Sequence, residues 1–283
     1  MHTKKNMNLQ LFAGHEAQER YSSMVLAKLR KTAIFVNLFN GRYEGTPTAG
    51  AVKIPVRDTE VTVGDYDKSK GGDLTESSTT YETLPIDQDK YVNELIDGYD
   101  AASVPDNLVA DRLDSAGYSM GITLDSELVN LIVENGTVST VTTALTKSNV
   151  YDIIVDEITP LKKMGVRVKE MWLAVTNETY ALLLKSPEFV RATEMGDDVV
   201  KGGKVGRIAG LDVYETNNIP DDANVDFVIG NRVFCHFVDE WKVPVAINDL
   251  KDAKHIGASA VQGRRCYGMK VSRSATVRVK KNA

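Results

Sequence analysis

The sequence has only two cysteines and four histidines among its 283 residues, and this scarcity removes several classes of protein. Cys235 and Cys266 are too few for a disulfide framework, and no Cys or His spacing matches a metal site. Cys235 and His236 are neighbours in a predicted strand, so their side chains point to opposite faces and make poor joint ligands. We therefore interpret the cysteines as buried packing residues and predict neither a metal nor a cofactor.

Long hydrophobic runs are also missing. No stretch approaches the roughly 18 to 20 apolar residues that a membrane span needs. The opening MHTKKNMNLQLFAG carries Lys4 and Lys5, but the apolar residues that follow are few and Gln10 interrupts them, which argues against a signal peptide. We expect no membrane partner and no secretion signal, and the low cysteine content suits a reducing cytoplasm.

Motifs that carry catalysis are absent as well. The sequence has no G-x-S-x-G elbow. In KGGKVG (201–206), Lys204 precedes Val205, which is wrong for a phosphate loop. GRIAG (206–210) lacks the three glycines of a dinucleotide fingerprint. We predict that the chain is not an enzyme and has no catalytic residues. A cytoplasmic α+β enzyme or ligand-binding protein is the alternative, and a convergent polar pocket would favour it.

Charge is distributed unevenly along the chain. Hydrophobic residues make up 42 % of the sequence and charged residues 26 %, which is ordinary for a soluble globular protein. The net charge of −5 argues against a polycation built to bind nucleic acid. However, residues 253–283 contain no Asp or Glu, whereas residues 57–94 are acidic. The basic stretch can contact DNA phosphates nonspecifically, pair with the acidic segment of another copy, or simply be solvated. We favour pairing between copies, and charge reversal at Arg273 and Arg278 tests it.

The first third of the chain predicts an arm, a helix and a long hairpin. The first fifteen residues resemble a mobile arm, and Glu16 to Ala33 favours a helix. Alternation of Val52, Ile54 and Val56 with polar residues is typical of a strand, and Pro55 favours an edge. A polar tip, GDYDKSKGG, separates it from a second strand within LTESSTTYETLPI.

The length of this hairpin indicates a second copy. A strand from Thr46 to Val63 would reach roughly 60 Å, whereas a compact chain of this size has a radius of gyration of about 19 Å. An unbroken hairpin must therefore project, and a lone two-stranded ribbon is marginal in water. We expect it to lie on another copy. The alternative is that its strands bend and join a larger sheet.

A long amphipathic helix and a mixed α/β body follow. An apolar stripe predicts one helix of about thirty residues, with Ser103 as cap and Pro105 in the first turn. Two shorter helices broken at Gly121 are the alternative. The body begins with a helix from Ser148 to Met164 and a helix capped by Asn177. Its predicted strands are MWLAVT, LDVYET, DFVIG, NRVFCHFVD, KVPVAI and the terminal MKVSRSATVRVKK.

Four segments carry a resemblance to a known family. They are the opening MNLQLFAG, the segment GRIAGLDVYETNNIP, the run DFVIGNRVF, and GRRCYG ahead of the basic terminal strand. In the second segment Gly206, Gly210, Val213, Thr216 and Pro220 fit the family's recurrent spacing. In these four segments together with the order of its predicted elements, the chain resembles the Hong-Kong-97-like major capsid proteins of tailed bacteriophages, in particular those of phages that infect Gram-positive bacteria.

The resemblance implies an α+β capsid fold with four parts. These are an N-terminal arm and helix (1–45), an extended hairpin loop (46–92), a peripheral domain with a spine helix (93–144 and 251–283), and an axial domain (145–250). It does not carry over an autocatalytic crosslink, although Lys68 and Lys70 lie at the hairpin tip.

The resemblance also implies a function and partners. The chain would self-assemble as pentamers and hexamers into the icosahedral head shell that encloses the phage genome. Partners would be copies of itself, scaffolding and portal proteins, and double-stranded DNA contacted nonspecifically. The location would be the virion capsid, after assembly in the host cytoplasm. A related cellular shell that encloses protein cargo is an alternative within the same class.

Overall fold

The computed structural model of this chain describes residues 30–42, 50–56, 60–69, 71–72, 74, 76, 78–103, 108–186, 204–220, 223–251 and 254–282. The helices in these residues are α1 (Phe35–Leu38), α2 (Gly98–Ser103), α3 (Leu108–Asn135), α4 (Val150–Lys163) and α5 (Asn177–Leu184). The strands are β1 (Ala51–Val56), β2 (Thr80–Pro85), β3 (Gln88–Ile96), β4 (Thr137–Val138), β5 (Met171–Thr176), β6 (Lys204–Ile208), β7 (Leu211–Thr216), β8 (Val225–Asn231), β9 (Cys235–Asp249), β10 (Ser259–Val271) and β11 (Arg278–Lys281). This content confirms the α+β class.

A six-stranded mixed sheet in the order β4-β11-β8-β5-β7-β6 forms the larger body. The predicted strand MWLAVT is β5, and its residues from Met171 to Val175 are buried. The apolar side of α4 packs with this sheet through Ile154, Ile158 and Leu161. Such a continuously apolar strand is expected where a sheet is covered on both faces.

A three-stranded antiparallel sheet in the order β3-β10-β9 forms the second body, and α3 packs against it. The exposure of β3 alternates from residue to residue, so one of its faces is half buried and the other exposed. Sequence reasoning did not separate β3 from the hairpin, and it missed the first part of β10. Strands β9 and β10 pair along most of their length and carry the chain from one body to the other.

Helix α3 runs without a break for 28 residues, about 42 Å at 1.5 Å per residue. The predicted long helix is therefore confirmed, and the alternative of two helices broken at Gly121 is wrong. The physical reason is tertiary support on both sides of the glycines. Arg112 pairs with Glu94 of β3 before them, and Glu127 pairs with Lys90 of β3 after them, each at 2.6 Å.

The segment 30–42 is built into the core rather than lying on the surface. Ile34, Phe35, Leu38 and Phe39 are buried among residues of α3 and of the six-stranded sheet. The predicted helix from Glu16 to Ala33 falls largely outside the described residues, and residues 30–33 are not helical. Burial of four apolar side chains from so short a segment is enough to hold it in place.

Asp125 of α3 organises this segment. Its carboxylate is buried and accepts hydrogen bonds from the backbone N–H of Phe35 at 2.7 Å and from Asn218 Nδ2 at 2.6 Å. Asn218 Nδ2 also donates to the carbonyl of Thr32 at 2.8 Å. Burial raises the pKa of Asp125, although these hydrogen bonds oppose the shift. One side chain thus links α3, the 30–42 segment and the end of β7.

Several predicted boundaries need correction. Ser103 is the last residue of α2 rather than a cap of α3, and residues 104–107 lie outside the described part. Thr176, not Asn177, caps α5, because its Oγ1 accepts from the N–H of Thr179 at 3.3 Å. The two strands predicted between residues 231 and 247 form most of one strand, β9. A 3-10 turn at Ser274–Thr276 divides the terminal strand pair.

Candidate assembly surface

The hairpin is shorter than its sequence predicts. β1 and β2 pair from Ala51 opposite Pro85 to Val56 opposite Thr80, and the described residues 60–66 form no strand. The prediction of a strand running to Val63 is therefore wrong at that end. A two-stranded ribbon is marginal unless something covers one of its faces, and among the described residues the pairing is confined to the part nearest the body.

The base of the hairpin is fastened to the three-stranded sheet of its own chain. Lys270 of β10 pairs with Glu82 at 2.8 Å and donates to the carbonyl of Thr83 at 2.9 Å. Gly268 of β10 permits this approach, because a Cβ there would lie 2.2 Å from the carbonyl oxygen of Pro85. β2 is thus close to β10, but within the described residues it pairs only with β1.

The described tip residues expose apolar side chains without support from the rest of the described chain. Val63 is 93 % and Leu74 101 % exposed, and Val61 and Tyr66 are also largely exposed. Asp67 closes a turn through the N–H of Gly71 at 2.8 Å. Four largely exposed apolar side chains between residues 61 and 74 make this segment a candidate interaction surface. We name Val61, Val63, Tyr66 and Leu74 the tip residues.

The face of the three-stranded sheet turned away from α3 is also exposed. It carries Tyr91, Leu95 and Val243 beside the ion pair of Arg264 with Asp89. The Arg264 guanidinium lowers the pKa of Asp89 to about 2. This face combines apolar side chains with an oriented ion pair, a mixture that suits contact with another protein surface.

The basic terminal stretch meets the acidic segment within one chain. Arg264 pairs with Asp89, and Lys270 pairs with Glu82. The hypothesis of pairing between copies is therefore wrong for these two cations, because β10 runs beside both β2 and β3. Arg273 lies over the ring of Phe234 at 5.3 Å, and Arg278 lies inside the six-stranded sheet. Reversing Arg278 would therefore test folding as much as assembly.

Neither cysteine forms a chemical site in the described residues. Cys235 is buried, and burial raises the pKa of its thiol to about 12. His236 is also buried, which lowers its pKa. Among the residues that the structure describes, no group of three or more His, Cys, Asp or Glu side chains could hold a metal ion. In the same residues no helix is long and apolar enough to cross a membrane.

Solved structures with this fold include phage capsid structures. A chain from Mycobacterium phage Che8 aligns with a TM-score of 0.75 and 23 % identity, covering 95 % of this chain and 98 % of that one. The mature capsid of bacteriophage PhiM1 aligns with a TM-score of 0.71 and 16 % identity, covering 98 % and 97 %. The capsid of an empty GTA particle aligns with a TM-score of 0.69 and 13 % identity, covering 99 % and 100 %. No curated protein matches.

These alignments show that the chain shares the fold of these structures. The family model described as phage capsid protein matches residues 82–279, so the chain belongs to the phage capsid protein family. It is a structural protein of the virion, a major capsid protein that forms the head shell, and the resemblance found in the sequence is confirmed.

Proposed function

We propose that this chain builds a closed icosahedral head shell around double-stranded DNA by associating as pentamers and hexamers. The observation that carries the proposal is the exposed tip. Val61, Val63 and Leu74 lie beyond a hairpin whose two strands have six residues each, and no described residue of their own chain covers them. A neighbouring copy supplies that cover in a shell and removes the apolar side chains from water.

Assembly into a shell also explains why one chain combines a rigid body with an adaptable hairpin tip. Contacts between non-equivalent surfaces of identical subunits generate rings when the rotation closes. Many modest contacts then sum, because each subunit touches several neighbours at once. Two sheets and α3 provide a rigid body, while the hairpin tip adapts to the local curvature.

We keep the four-part division as part of the proposal. It comprises the arm and helix 1–45, the hairpin loop 46–92, the peripheral domain 93–144 with 251–283, and the axial domain 145–250. Strands β9 and β10 pair across the boundary at residue 250, so the peripheral and axial parts would share a continuous ribbon.

The proposed partners beyond the chain itself are packaged DNA, contacted through phosphates without sequence preference, and scaffolding and portal proteins. Assembly would take place in the host cytoplasm without a membrane partner, and no catalytic step is required of the subunit. The alternative cargo shell is distinguished by its contents, since purified particles would then contain protein instead of nucleic acid.

The experiment is assembly of the purified or co-expressed chain, followed by negative-stain microscopy. Wild-type protein should give large closed particles. The combined change Val61→Ser, Val63→Ser and Leu74→Ser should leave circular dichroism and thermal unfolding of the subunit unchanged, because these side chains are exposed. Particle yield should fall by at least about tenfold, since roughly 1.4 kcal/mol lost per contact already changes an association constant tenfold.

The matched control is Leu184→Ser, an exposed leucine at the end of α5. It should assemble like the wild type. A wild-type chain that stays monomeric under all assembly conditions, or a tip variant with full particle yield, contradicts the proposal.

A further inference from the structure

The hairpin leaves the three-stranded sheet at the point where β3 begins. β3 pairs with β10 as far as Gln88 opposite Tyr267, and β10 continues beyond that pair along β9 through residues 268–271. On the other side of this part of β10 lies β2, which among the described residues pairs only with β1. Pro85, the last residue of β2, has no backbone N–H to donate. Ladder hydrogen bonds between described residues therefore do not fix the direction of the hairpin relative to the sheet.

Two side chains hold the base of the hairpin instead. Leu84 of β2 is completely buried, and burial of an apolar side chain stabilises a contact without prescribing an angle. Lys270 of β10 makes directional bonds, since its Nζ pairs with the carboxylate of Glu82 at 2.8 Å and donates to the carbonyl of Thr83 at 2.9 Å. These two acceptors belong to consecutive residues of β2, so one ammonium group holds the strand at two points.

The surroundings make this contact stronger than an ordinary surface ion pair. The side chains of Lys270 and Glu82 are only 31 % and 26 % exposed, so water and salt screen the pair less than they screen an exposed one. Hydrogen bonds from a charged donor are also stronger than those between neutral groups. Gly268, which has no side chain to push β2 away, keeps the strand within reach of Lys270.

We propose that Lys270 is a positioning residue for assembly, which sets the direction in which the hairpin projects from the subunit. This inference rests on the proposed function, in which a neighbouring copy covers the tip residues. A hairpin free to point in many directions presents its tip correctly for only a fraction of the time. The apparent affinity of each contact between copies falls in proportion to that fraction.

The first measurement is the distance from the hairpin to α3 in unassembled subunits of the full chain. Spin labels are attached at Thr80→Cys in β2 and Asn130→Cys in α3, both exposed positions, with Cys266→Ser in the background. Cys235 is buried and stays unlabelled. Double electron–electron resonance gives the distribution of distances. Lys270→Met should broaden this distribution by at least about twofold, because it removes both charge-assisted bonds to β2.

Three further variants control this measurement. Lys270→Arg keeps the charge and the donors, so it should give the distribution of the parent chain. Lys53→Met, the same substitution at an exposed lysine of β1, should also leave the distribution unchanged. Glu82→Gln removes the ion pair but leaves the bond to the carbonyl of Thr83, so its distribution should be intermediate. Circular dichroism checks that each variant is folded, and Glu82→Gln decides the question if Lys270→Met is not.

The second measurement is particle yield by negative-stain microscopy, with the natural cysteines and without labels. Lys270→Met should lower the yield by at least about threefold, because fewer subunits hold the tip in the direction that a neighbour can cover. Lys270→Arg and Lys53→Met should assemble like the wild type. A loss of yield that arginine restores separates the directional role of the charge from a general loss of stability.

Two outcomes overturn the inference. The first is an unchanged distance distribution in folded Lys270→Met, or in Glu82→Gln if Lys270→Met does not fold. The second is a broadened distribution together with full particle yield, since the direction of the hairpin would then be irrelevant to assembly. A wild-type chain that never assembles counts against the proposed function alone, because the distances are measured in free subunits.

Discussion

Gly230 and Gly117 show how differently two glycines of one chain are used. Gly230 in β8 faces the indole of Trp172, and a Cβ there would lie 2.1 Å from Cζ2 of that ring. Gly117 lies on the exposed side of α3, and a Cβ there would meet nothing within 4 Å. The first position requires the absence of a side chain, whereas the second only tolerates it.

We therefore expect opposite effects from the same substitution. Gly230→Ala should lower the free energy of unfolding by about 1 to 3 kcal/mol or more, because the indole is buried and cannot move aside. Gly117→Ala should raise it by about 0.5 to 1 kcal/mol, because alanine favours the helix. Denaturant unfolding of the unassembled chain measures both. Equal effects at the two positions would contradict the packing described here.

Asp125 should make stability depend on pH. Its pKa is raised by burial, so the folded chain holds the proton more tightly than the unfolded chain, where Asp titrates near about 3.9. Its contribution to stability is fully present below that unfolded value and is lost as the pH rises through the folded pKa.

The measurement is the difference in unfolding free energy between the wild type and Asp125→Asn from pH 4 upward. That difference should shift against the wild type as the pH rises, since other titrating groups cancel. A difference that stays flat with pH for Asp125→Asn would rule out a raised pKa at this carboxyl.

At the scale of elements, α3 is fastened to the three-stranded sheet by a small polar network. Tyr267 of β10 donates its hydroxyl to Glu127 of α3, and Lys90 of β3 pairs with the other oxygen of the same carboxylate at 2.6 Å. Tyr267 is buried, so water cannot replace the hydrogen bond. Nearer the start of the helix, Arg112 of α3 forms a second ion pair with Glu94 of β3.

Tyr267→Phe should therefore lower the free energy of unfolding by about 1.5 to 3 kcal/mol, the usual contribution of a hydrogen bond to a charged group. Thermal and denaturant unfolding give the value. Tyr99→Phe, which changes an exposed ring, should have no effect. A loss below about 0.5 kcal/mol at Tyr267 would mean that Glu127 is satisfied without it.

The sequence predicts well those elements whose pattern of apolar residues continues without interruption along the whole element. The stripe of α3 and the apolar run of β5 each indicate one element regardless of what packs on them. β3 was missed because its alternation of polar and apolar residues continues directly from the hairpin, and no turn signal separates the two. The hairpin was predicted too long because period-two alternation marks a strand and says nothing about whether a partner is present.

Polar contacts were the least predictable part of the surface. Segment charges correctly indicated that basic and acidic stretches attract each other. However, they could not show that β10 lies between β3 and β9, which makes the Arg264–Asp89 pair internal to one chain.

For the whole molecule, assembly should change which peptide bonds a protease can reach. Lys68 lies exposed in the turn at the hairpin tip, so trypsin should cleave after it readily in the unassembled chain. In particles a neighbouring copy covers the tip, and cleavage there should slow by at least about tenfold. Mass spectrometry of timed digests measures both rates.

Lys68→Gln removes the site and identifies the fragment that belongs to it. Cleavage at equal rates in particles and free subunits would show that the tip stays uncovered in the shell, and would count against the role given to the tip residues.

The burial of Cys235 makes its thiol a reporter of local opening in the core. With its thiol pKa near 12 and its side chain sealed in the core, the sulfur is neutral and out of reach at neutral pH. An alkylating reagent can label it only when β9 parts from its neighbours. The rate of labelling in intact heads therefore measures how often β9 separates from its neighbours within an assembled subunit.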